Sequence, residues 1–312
     1  AKNRQFTIGE KMTLQQLRQV LTIAESNSMN EAAKKLFVSQ PNLSATVREV
    51  EEELGITVFM RNNRGITVTA EGEEFLGYAK QVVEQYHLLE NRYLNVESKK
   101  KFSVSMQHYS FAVKAFVQLA KEVGMDEYEF AVHETKTKEV IDNVKNLKSE
   151  IGVLYLSDFN EKVLRKLFKE CDIEFKELFT CNTYVYLWKK HPLAGKKVIT
   201  LDDLQEYPCL TFEQGVNNSF YYAEEMMSTY EYKRVIKADD RATMLNLMVG
   251  LNGFTLCSGI ISEDLNGDDY AAIPLKESEK MHIGYIKHKG TKLSKLGEIY
   301  IDALKNYENK VL

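Results

Sequence analysis

The stretch that begins at Ser39 constrains the fold of this chain more than any other. Ser39 is a favourable N-cap, and Pro41 falls in the first helical turn, where a missing N–H costs nothing. Apolar residues then recur at spacings of 4, 3 and 4: Leu43, Val47, Val50 and Leu54. The opposite face carries Gln40, Ser44 and Arg48. The spacing therefore predicts a helix with one apolar side and one polar side.

Two shorter helices are predicted before this one. The first is capped by Thr13 and turns four apolar residues inward: Leu14, Leu17, Leu21 and Ala24. The second follows Ser28 and buries Ala32, Ala33 and Leu36. After the third helix, residues 58–69 contain two short β-type runs around a basic turn, which is typical of a hairpin wing. This order predicts an N-terminal winged helix-turn-helix.

Such a unit places its third helix in the major groove of DNA. Amides and hydroxyls read base edges there, and arginines contact phosphate oxygens. The residues expected to contact DNA are Ser39, Gln40, Pro41, Asn42, Ser44, Arg48, Arg61 and Arg64. The alternative is a small three-helix cap with an ordinary solvated loop. The complete ordered set favours DNA binding.

The N-terminal third resembles the winged helix-turn-helix of LysR-type transcriptional regulators. The strings that carry the resemblance are Leu14-Gln15-Gln16-Leu17-Arg18, Ala32-Ala33-Lys34-Lys35-Leu36, Val38-Ser39-Gln40-Pro41-Asn42-Leu43-Ser44, Leu54-Gly55, Phe59, Arg61 and Thr69-Ala70-Glu71-Gly72. One departure concerns Ala45, where the family often has an arginine. We therefore expect base readout to depend on Gln40, Ser44 and Arg48.

Composition indicates a soluble globular protein of two or three domains, with 44% hydrophobic and 28% charged residues. No apolar run approaches the ~20 residues that span a bilayer, and no secretory signal is recognisable, so a cytoplasmic location is expected. The four cysteines form no C-x-x-C motif. We therefore expect neither a disulfide framework nor a metal site, and no cofactor.

The charges are unevenly distributed along the chain. Through Arg64 there are nine Lys and Arg against seven Asp and Glu, whereas the whole chain has a net charge of −4. A mildly basic N-terminal unit on an acidic remainder fits a protein that contacts DNA through one small module.

One long helix is predicted from a Thr69 cap to about residue 96. Its apolar residues repeat every 3.5 positions, which is typical of a two-helix seam: Phe75, Ala79, Val82, Tyr86, Leu89 and Tyr93. The alternative is an amphipathic helix that packs on its own domain. The seam favours a homodimer, and the LysR resemblance implies the same, since its linker helix pairs protomers. A homotetramer is the expected further assembly.

From Phe102 onward, predicted strands and helices alternate, as in α/β domains with largely parallel sheets. Helices are expected near residues 111–122, 134–147, 201–206, 219–230, 243–249 and 293–307. The body resembles the LysR effector domain, in which two α/β subdomains hold a ligand as periplasmic binding proteins do. The string His191-Pro192-Leu193-Ala194 is a marker of that family.

The chain is expected to divide into four segments. They are an extension at 1–11 without a reliable periodicity, a winged helix-turn-helix at 12–68, a linker and dimerisation helix at 69–98, and an effector domain at 99–312, which the resemblance divides in two. Within this domain, subdomain I comprises 102–181 and 281–312, and subdomain II comprises 182–280.

Ligands of open α/β sheets bind beyond the carboxyl ends of strands, near helix N-termini. That rule selects Gln107, His108, Tyr109, Ser110, Glu134, Thr135, Phe212, Gln214, Asp240, Arg241 and Thr243. A hydroxyl-capped helix end that faces Arg241 would suit a small carboxylate. Alternatively, Ser110 and Thr135 only cap helices, and His108 is an ordinary loop histidine. Resemblance to regulators of sulfur amino-acid metabolism suggests an effector like O-acetylserine.

Three classes of function fit parts of this chain. The favoured class is a DNA-binding regulator whose activity is set by a metabolite bound between the subdomains. A solute-binding protein would use the body alone but has no use for a DNA-binding unit. An enzyme is disfavoured, because the chain lacks the G-x-S-x-G, H-E-x-x-H and phosphate-cradling glycine motifs. We therefore expect no catalytic residues.

Overall fold

The computed structural model describes residues 12–26, 28–62, 65–93, 100–124, 127–217, 219–261 and 263–308. The chain divides into two compact units, residues 1–98 and 99–312. Residues 1–11, the predicted extension, and the side chains of Arg61, Arg64 and Tyr93 lie outside the described part. Within it, no helix is both long and apolar enough to cross a membrane.

The N-terminal unit begins with three helices: α1 (Leu14–Ala24), α2 (Met29–Lys35) and α3 (Gln40–Leu54). Thr13, Ser28 and Ser39 accept hydrogen bonds from backbone N–H groups of the first turns, as their N-cap positions predicted. Gly55 ends α3 with φ +70°, a left-handed conformation that glycine adopts without a steric cost. The facing sides of the helices form one core, which includes Val20, Ile23, Ala32, Leu43, Val47 and Val50.

A hairpin follows, made of β1 (Phe59–Asn62) and β2 (Gly65–Val68) in antiparallel register, with Phe59 opposite Val68. Helix α4 (Ala70–Tyr93) comes next, and the Thr69 hydroxyl caps it by accepting from Gly72 N–H at 2.9 Å. A Cβ at Gly72 would lie 2.3 Å from the Val58 carbonyl oxygen. Only glycine therefore allows this helix to begin so close to the base of the wing.

The apolar repeat of α4 does not form one uniform exposed seam. Ala79 is 2% exposed and packs with Leu17 and Val83, because α1 covers one edge of the stripe. The other edge remains exposed, with Val82 at 51% and Leu89 at 54%. The alternative of a helix that packs on its own domain therefore describes one edge of α4, and a dimer seam on the exposed edge stays a prediction.

The second unit contains, in chain order, β3 (Lys100–Met106), α5 (Ser110–Val123), β4 (Tyr128–Glu134), α6 (Thr137–Lys145), β5 (Ile151–Leu156), α7 (Glu161–Glu170), β6 (Ile173–Asn182), β7 (Tyr184–Trp188), α8 (Leu201–Leu204), β8 (Cys209–Phe212), β9 (Val235–Ala238), α9 (Arg241–Leu251), β10 (Thr255–Cys257), α10 (Glu263–Asn266), β11 (Tyr270–Pro274), β12 (Lys280–His288) and α11 (Lys295–Lys305).

The larger sheet has the order β4-β3-β5-β12-β6. β3 pairs in parallel with β4 and β5, whereas the returning strand β12 is antiparallel to both β5 and β6. Helices α5 and α11 pack on one face, where Tyr300, Phe111 and Phe102 are buried. β6 therefore runs in the same direction as β3, β4 and β5, and in this sheet only the returning strand β12 departs from the predicted parallel arrangement.

The other strands form a second, smaller set. β7 lies between β10 and β11, both antiparallel to it, and β8 pairs in parallel with β9. An isolated bridge from Cys209 to Phe254 joins the two groups. All four cysteines are free thiols.

The helix predicted for residues 219–230 is wrong. The structure has only a single 3-10 turn, Phe220–Tyr222, and Met227 adopts φ +55°. Glu224 and Glu225 are each 6% exposed, so both acidic side chains are turned into the protein. An α-helix cannot include the left-handed residue Met227, so the chain leaves the helical path there.

The His191-Pro192-Leu193-Ala194 string acquires a structural explanation. His191 is 3% exposed, its Nδ1 accepts from Leu193 N–H at 3.0 Å, and its Nε2 donates to the Asn252 carbonyl at 2.9 Å. Burial lowers the pKa of His191 below its usual value of 6.5, so the neutral ring fits this pattern of one accepted and one donated bond. The histidine thus ties the turn after β7 to the end of α9.

Candidate DNA-binding face and effector site

The polar side of α3 is largely accessible. Pro41, Asn42 and Arg48 are exposed, and Gln40 is half-buried. Ser44 differs from expectation, because it is only 7% exposed and its Oγ accepts from Gln40 Nε2 at 2.9 Å. The short Ser44 side chain therefore lies beneath Gln40 and holds the amide in place, rather than standing on the surface itself.

The site in the second unit is built where β3 and β8 end. His108 follows β3, and its ring stacks on Phe212, the last residue of β8, with ring centroids 3.7 Å apart and planes within 6°. The Glu224 carboxylate accepts from His108 backbone N–H at 2.9 Å and from His108 Nδ1 at 2.8 Å. Because a carboxylate only accepts, His108 Nδ1 carries the hydrogen.

Beside this pair lies a buried polar network around Gln107, which is 1% exposed. Gln107 Nε2 donates to Thr137 Oγ1 at 2.6 Å, while its Oε1 accepts from the Tyr109 hydroxyl at 2.9 Å and Tyr155 N–H at 3.2 Å. Gln214 extends the network by accepting from Thr137 N–H at 3.1 Å. Burial raises the pKa of Tyr109 well above its usual value, so its hydroxyl stays protonated and keeps donating.

Two ion pairs lie across the same region. Arg241 pairs with Glu134, and Lys136 Nζ lies 3.5 Å from Asp239 Oδ1. Burial lowers the pKa of Arg241 to about 10, which still leaves the guanidinium charged at neutral pH. The Arg241 charge is thus matched within the protein by Glu134.

Asp240 and Thr243 serve the start of α9. Asp240 is its N-cap and accepts from Thr243 N–H at 2.8 Å and Thr243 Oγ1 at 2.7 Å. These hydrogen bonds lower the pKa of Asp240 below its usual value. The Asp240 carboxylate therefore caps the helix that begins at Arg241.

The other two predicted caps also differ. Helix α5 begins at Ser110 with Tyr109 as its N-cap residue, and no side chain caps its first turn. Helix α6 begins after Lys136, and the Thr135 hydroxyl donates instead to the Glu139 side chain. In both helices the cap falls on a neighbour of the predicted residue, so neither Ser110 nor Thr135 has the capping role.

A cavity of about 90 Å³ opens beside the stack of His108 on Phe212. Five predicted effector residues line it: His108, Tyr109, Ser110, Phe212 and Arg241. The other six do not: Gln107, Glu134, Thr135, Gln214, Asp240 and Thr243. The lining also includes apolar side chains, among them Met244, Leu245, Leu256, Ile260 and Met281.

Sequence reasoning missed the most unusual residues of the lining, Glu224 and Glu225. Burial and the neighbouring Glu224 raise the pKa of Glu225 from 4.5 to about 8, and its Oε1 accepts from Phe212 N–H at 2.8 Å. The only signal was an acidic pair inside an otherwise aromatic and Met-rich segment, which an amphipathic-helix reading treats as a solvated face.

Two hydroxyls in the lining face each other across strands. Thr255 is the register partner of Tyr186, so both side chains lie on the same face of the sheet. In the part of the chain that the structure describes, Thr255 Oγ1 has no hydrogen-bond partner. No group of three His, Cys, Asp or Glu suited to a metal ion occurs among the described residues.

Comparison with known proteins places both units in one family. Residues 14–73 match the family of bacterial regulatory helix-turn-helix proteins of the lysR family, and residues 107–308 match the LysR substrate binding domain. The second match alone extends over more than half of the chain. The chain belongs to the LysR family of transcriptional regulators: it has a DNA-binding helix-turn-helix and an effector-binding domain.

Individual relatives agree with this assignment. The HTH-type transcriptional regulator CysL of Bacillus subtilis is 25% identical over 95% of this chain and 98% of its own. BsdA, an HTH-type transcriptional regulator of the same organism, is 26% identical over 76% of this chain and 80% of its own. A full-length OxyR variant from Pseudomonas aeruginosa has the same fold, with a TM-score of 0.67 and 19% identity, covering 95% of this chain and 96% of that one.

Proposed function

We propose that this regulator reads promoter DNA through the polar face of α3 and responds to a small metabolite held beside His108 and Phe212. DNA reading is supported above all by the polar side of α3, where Asn42 and Arg48 are exposed and Leu43 beneath them is fully buried. A helix of this kind presents short amides and a guanidinium to base edges and phosphates without disturbing its own core.

Within that face, Gln40 reads a base and Ser44 positions it. The Gln40 Nε2–Ser44 Oγ hydrogen bond fixes the amide before DNA arrives, which reduces the side-chain entropy lost on binding. Arg48 shares in the base readout, and Asn42 contacts a flanking phosphate. Ser39 and Pro41 fix the first turn of the helix, and Arg61 and Arg64 of the wing add phosphate contacts.

The direct experiment is a gel-shift titration of the full chain on the DNA upstream of its own gene. A shuffled duplex of the same composition serves as the control. We expect the upstream fragment to bind at least tenfold more tightly, and both affinities to fall steeply with salt. Equal affinity for the two duplexes would remove the proposal of sequence-specific readout.

The chain acts as a homodimer, and further pairing gives a homotetramer. The support is the edge of α4 that α1 leaves uncovered, where Tyr78, Val82 and Leu89 are 59%, 51% and 54% exposed. These three residues recur at spacings of 4 and 7, which places them on one side of the helix. A second copy of α4 would cover them and would place two recognition helices on two half-sites.

Charge on that edge should prevent the pairing. We expect Val82→Glu with Leu89→Glu to convert the chain to a monomer in sedimentation velocity at micromolar concentration. The matched control is Glu84→Gln, a change of charge on the exposed surface of the same helix. A double variant that sediments like the parent would place the dimer contact elsewhere.

The effector is a small carboxylate, and O-acetylserine is the first compound to test. The support is the cavity beside His108 and Phe212, together with the apolar and polar side chains that line it. Binding there alters the angle between the two subdomains and thereby the spacing of the DNA-binding units. Calorimetry should show heat with O-acetylserine, and its absence alongside heat from another metabolite would exclude this compound.

A further inference from the structure

The carboxylate of Glu224 is buried, with its side chain 4% exposed. Its Oε2 accepts from His108 backbone N–H at 2.9 Å and His108 Nδ1 at 2.8 Å, and its Oε1 accepts from Gln214 Nε2 at 2.9 Å. We call these three donors the carboxylate cradle. Because they donate to both carboxylate oxygens, they fix the position of the whole carboxylate.

The carboxylate cradle stands where open α/β sheets bind their ligands. His108 follows the carboxyl end of β3, and Gln214 follows that of β8. A backbone N–H, a ring N–H and an amide N–H are the donors that a free carboxylate would use in such a site. Here the chain itself supplies the acceptor, from a residue 116 positions away from His108.

The segment that delivers Glu224 is irregular. It runs from β8 to β9 with one 3-10 turn, and its direction changes at Met227, which has φ +55°. Because the segment has almost no backbone ladder of its own, side-chain contacts hold Glu224 in place. It can therefore leave the carboxylate cradle without unfolding a helix or a strand.

Space for the body of a ligand exists beside the carboxylate cradle. Both His108 and Glu224 line the cavity of about 90 Å³. Thr255 lines it too and is 6% exposed, and its Oγ1 finds no hydrogen-bond partner among the residues that the structure describes. A buried hydroxyl without a partner is costly, and a ligand that bonds to it would recover that free energy.

We propose that the carboxylate cradle is a binding site for a ligand carboxylate that Glu224 fills from within the chain, so that a carboxylate effector binds by displacing Glu224. This inference rests on the proposed function in one respect, that the effector occupies the adjoining cavity. It adds that the chain competes with its own ligand.

Displacement would also release contacts between the subdomains. The two residues before Glu224 accept from subdomain I, Tyr222 O from Thr137 Oγ1 at 2.7 Å and Ala223 O from the Tyr155 hydroxyl at 3.0 Å. Moving Glu224 out of the carboxylate cradle pulls on both. Ligand binding thereby loosens the contact between the subdomains. The two states, with Glu224 inside or outside the carboxylate cradle, can then differ in their affinity for DNA.

The test is chemical rescue of Glu224→Ala in the full chain, with acetate as the probe. Removing the side chain leaves the carboxylate cradle without an acceptor, so the thermal unfolding midpoint should fall. Acetate at about 100 mM should then raise that midpoint by about 3 °C relative to equal sodium chloride. Wild type should not respond, since Glu224 holds the site. Glu206→Ala, which removes an exposed glutamate paired with Lys233, should behave like wild type.

Each outcome decides the matter. Equal acetate responses in all three proteins, or none in Glu224→Ala, would overturn the inference. If Glu224→Ala folds only when acetate is present, that dependence is the predicted rescue. If Glu224→Ala folds under neither condition, Glu224→Gln decides, because its neutral amide fills the same volume. The unfolding midpoint of Glu224→Gln should rise with acetate, but by less than predicted for Glu224→Ala. No rise in that midpoint would overturn the inference. DNA binding by wild type from the same preparation is measured separately, so that a failure of the proposed function can be told apart from a failure of this inference.

Discussion

The binding sites proposed for the two units are of opposite construction. The DNA-binding face is a short run of neighbours on one helix, and its polar groups stand on the surface while Leu43 and Val47 form the core beneath. The proposed effector site lies in the interior and joins residues more than a hundred positions apart, such as His108 with Glu224. A surface site can change its specificity without loss of stability, whereas the buried site combines recognition and stability in the same residues.

The largest effect should come from the core beneath α3. Leu43 is 0% exposed, so Leu43→Ala leaves a cavity and should lower the free energy of unfolding of the N-terminal unit by about 3–5 kcal/mol. Circular dichroism in urea would follow the helices. The fluorescence of Trp188, the single tryptophan, reports on the second unit and should keep its midpoint.

Phe37→Ala is the matched control for that experiment. Phe37 is 96% exposed, so its truncation removes no core and should change the midpoint little. If the two substitutions had equal effects, α3 would not be supported by the core described here.

The next largest effect should come from the buried hydrogen-bond network around Gln107. Gln107→Leu removes the partners of the Tyr109 hydroxyl and Tyr155 N–H in a site that water does not reach. We expect a loss of about 2–3 kcal/mol, measured by urea unfolding with Trp188 fluorescence. Gln118→Leu, on the exposed side of α5, should stay within about 0.5 kcal/mol of wild type. A silent Gln107→Leu would mean that the network contributes nothing.

A smaller effect concerns pH. The pKa of Glu225 is about 8 in the folded chain and 4.5 ordinarily, so in that window the folded state holds a proton that the unfolded state has lost. The contribution of Glu225 protonation to the free energy of unfolding is therefore fully present below pH 4.5 and is lost as pH rises towards 8. Between pH 5.5 and 7.5, wild type should lose on the order of 2 kcal/mol more than Glu225→Gln. Parallel pH profiles of the two proteins would show that Glu225 is not the group that titrates.

The contrast between the units also explains what the sequence could predict. The caps at Thr13, Ser28 and Ser39 and the spacing of Leu43, Val47 and Val50 are local, so they predict α1 to α3 correctly. The burial of Ser44 is not visible in that pattern, because it depends on how Gln40 folds back over it.

In the second unit the rule for strand ends selected His108 and Phe212, which do meet. The rule could not reveal Glu224, since nothing local distinguishes a glutamate that bonds to His108, more than a hundred positions away, from one that faces solvent. The missing helix at 219–230 has the same origin: the contacts of Glu224 and Glu225 with distant backbone outweigh the local helical pattern. Long-range pairing, and not propensity, decides that segment.

The most direct test of the central claim is the sequence preference of Gln40→Ala, measured by fluorescence anisotropy on the upstream fragment and its shuffled control. The account predicts that Gln40→Ala narrows the ratio of the two affinities by about 10- to 100-fold while general DNA affinity changes little. Arg64→Ala should instead weaken both duplexes alike and flatten the salt dependence. A Gln40→Ala variant that keeps the full preference of wild type would contradict the claim that the polar face of α3 reads the sequence.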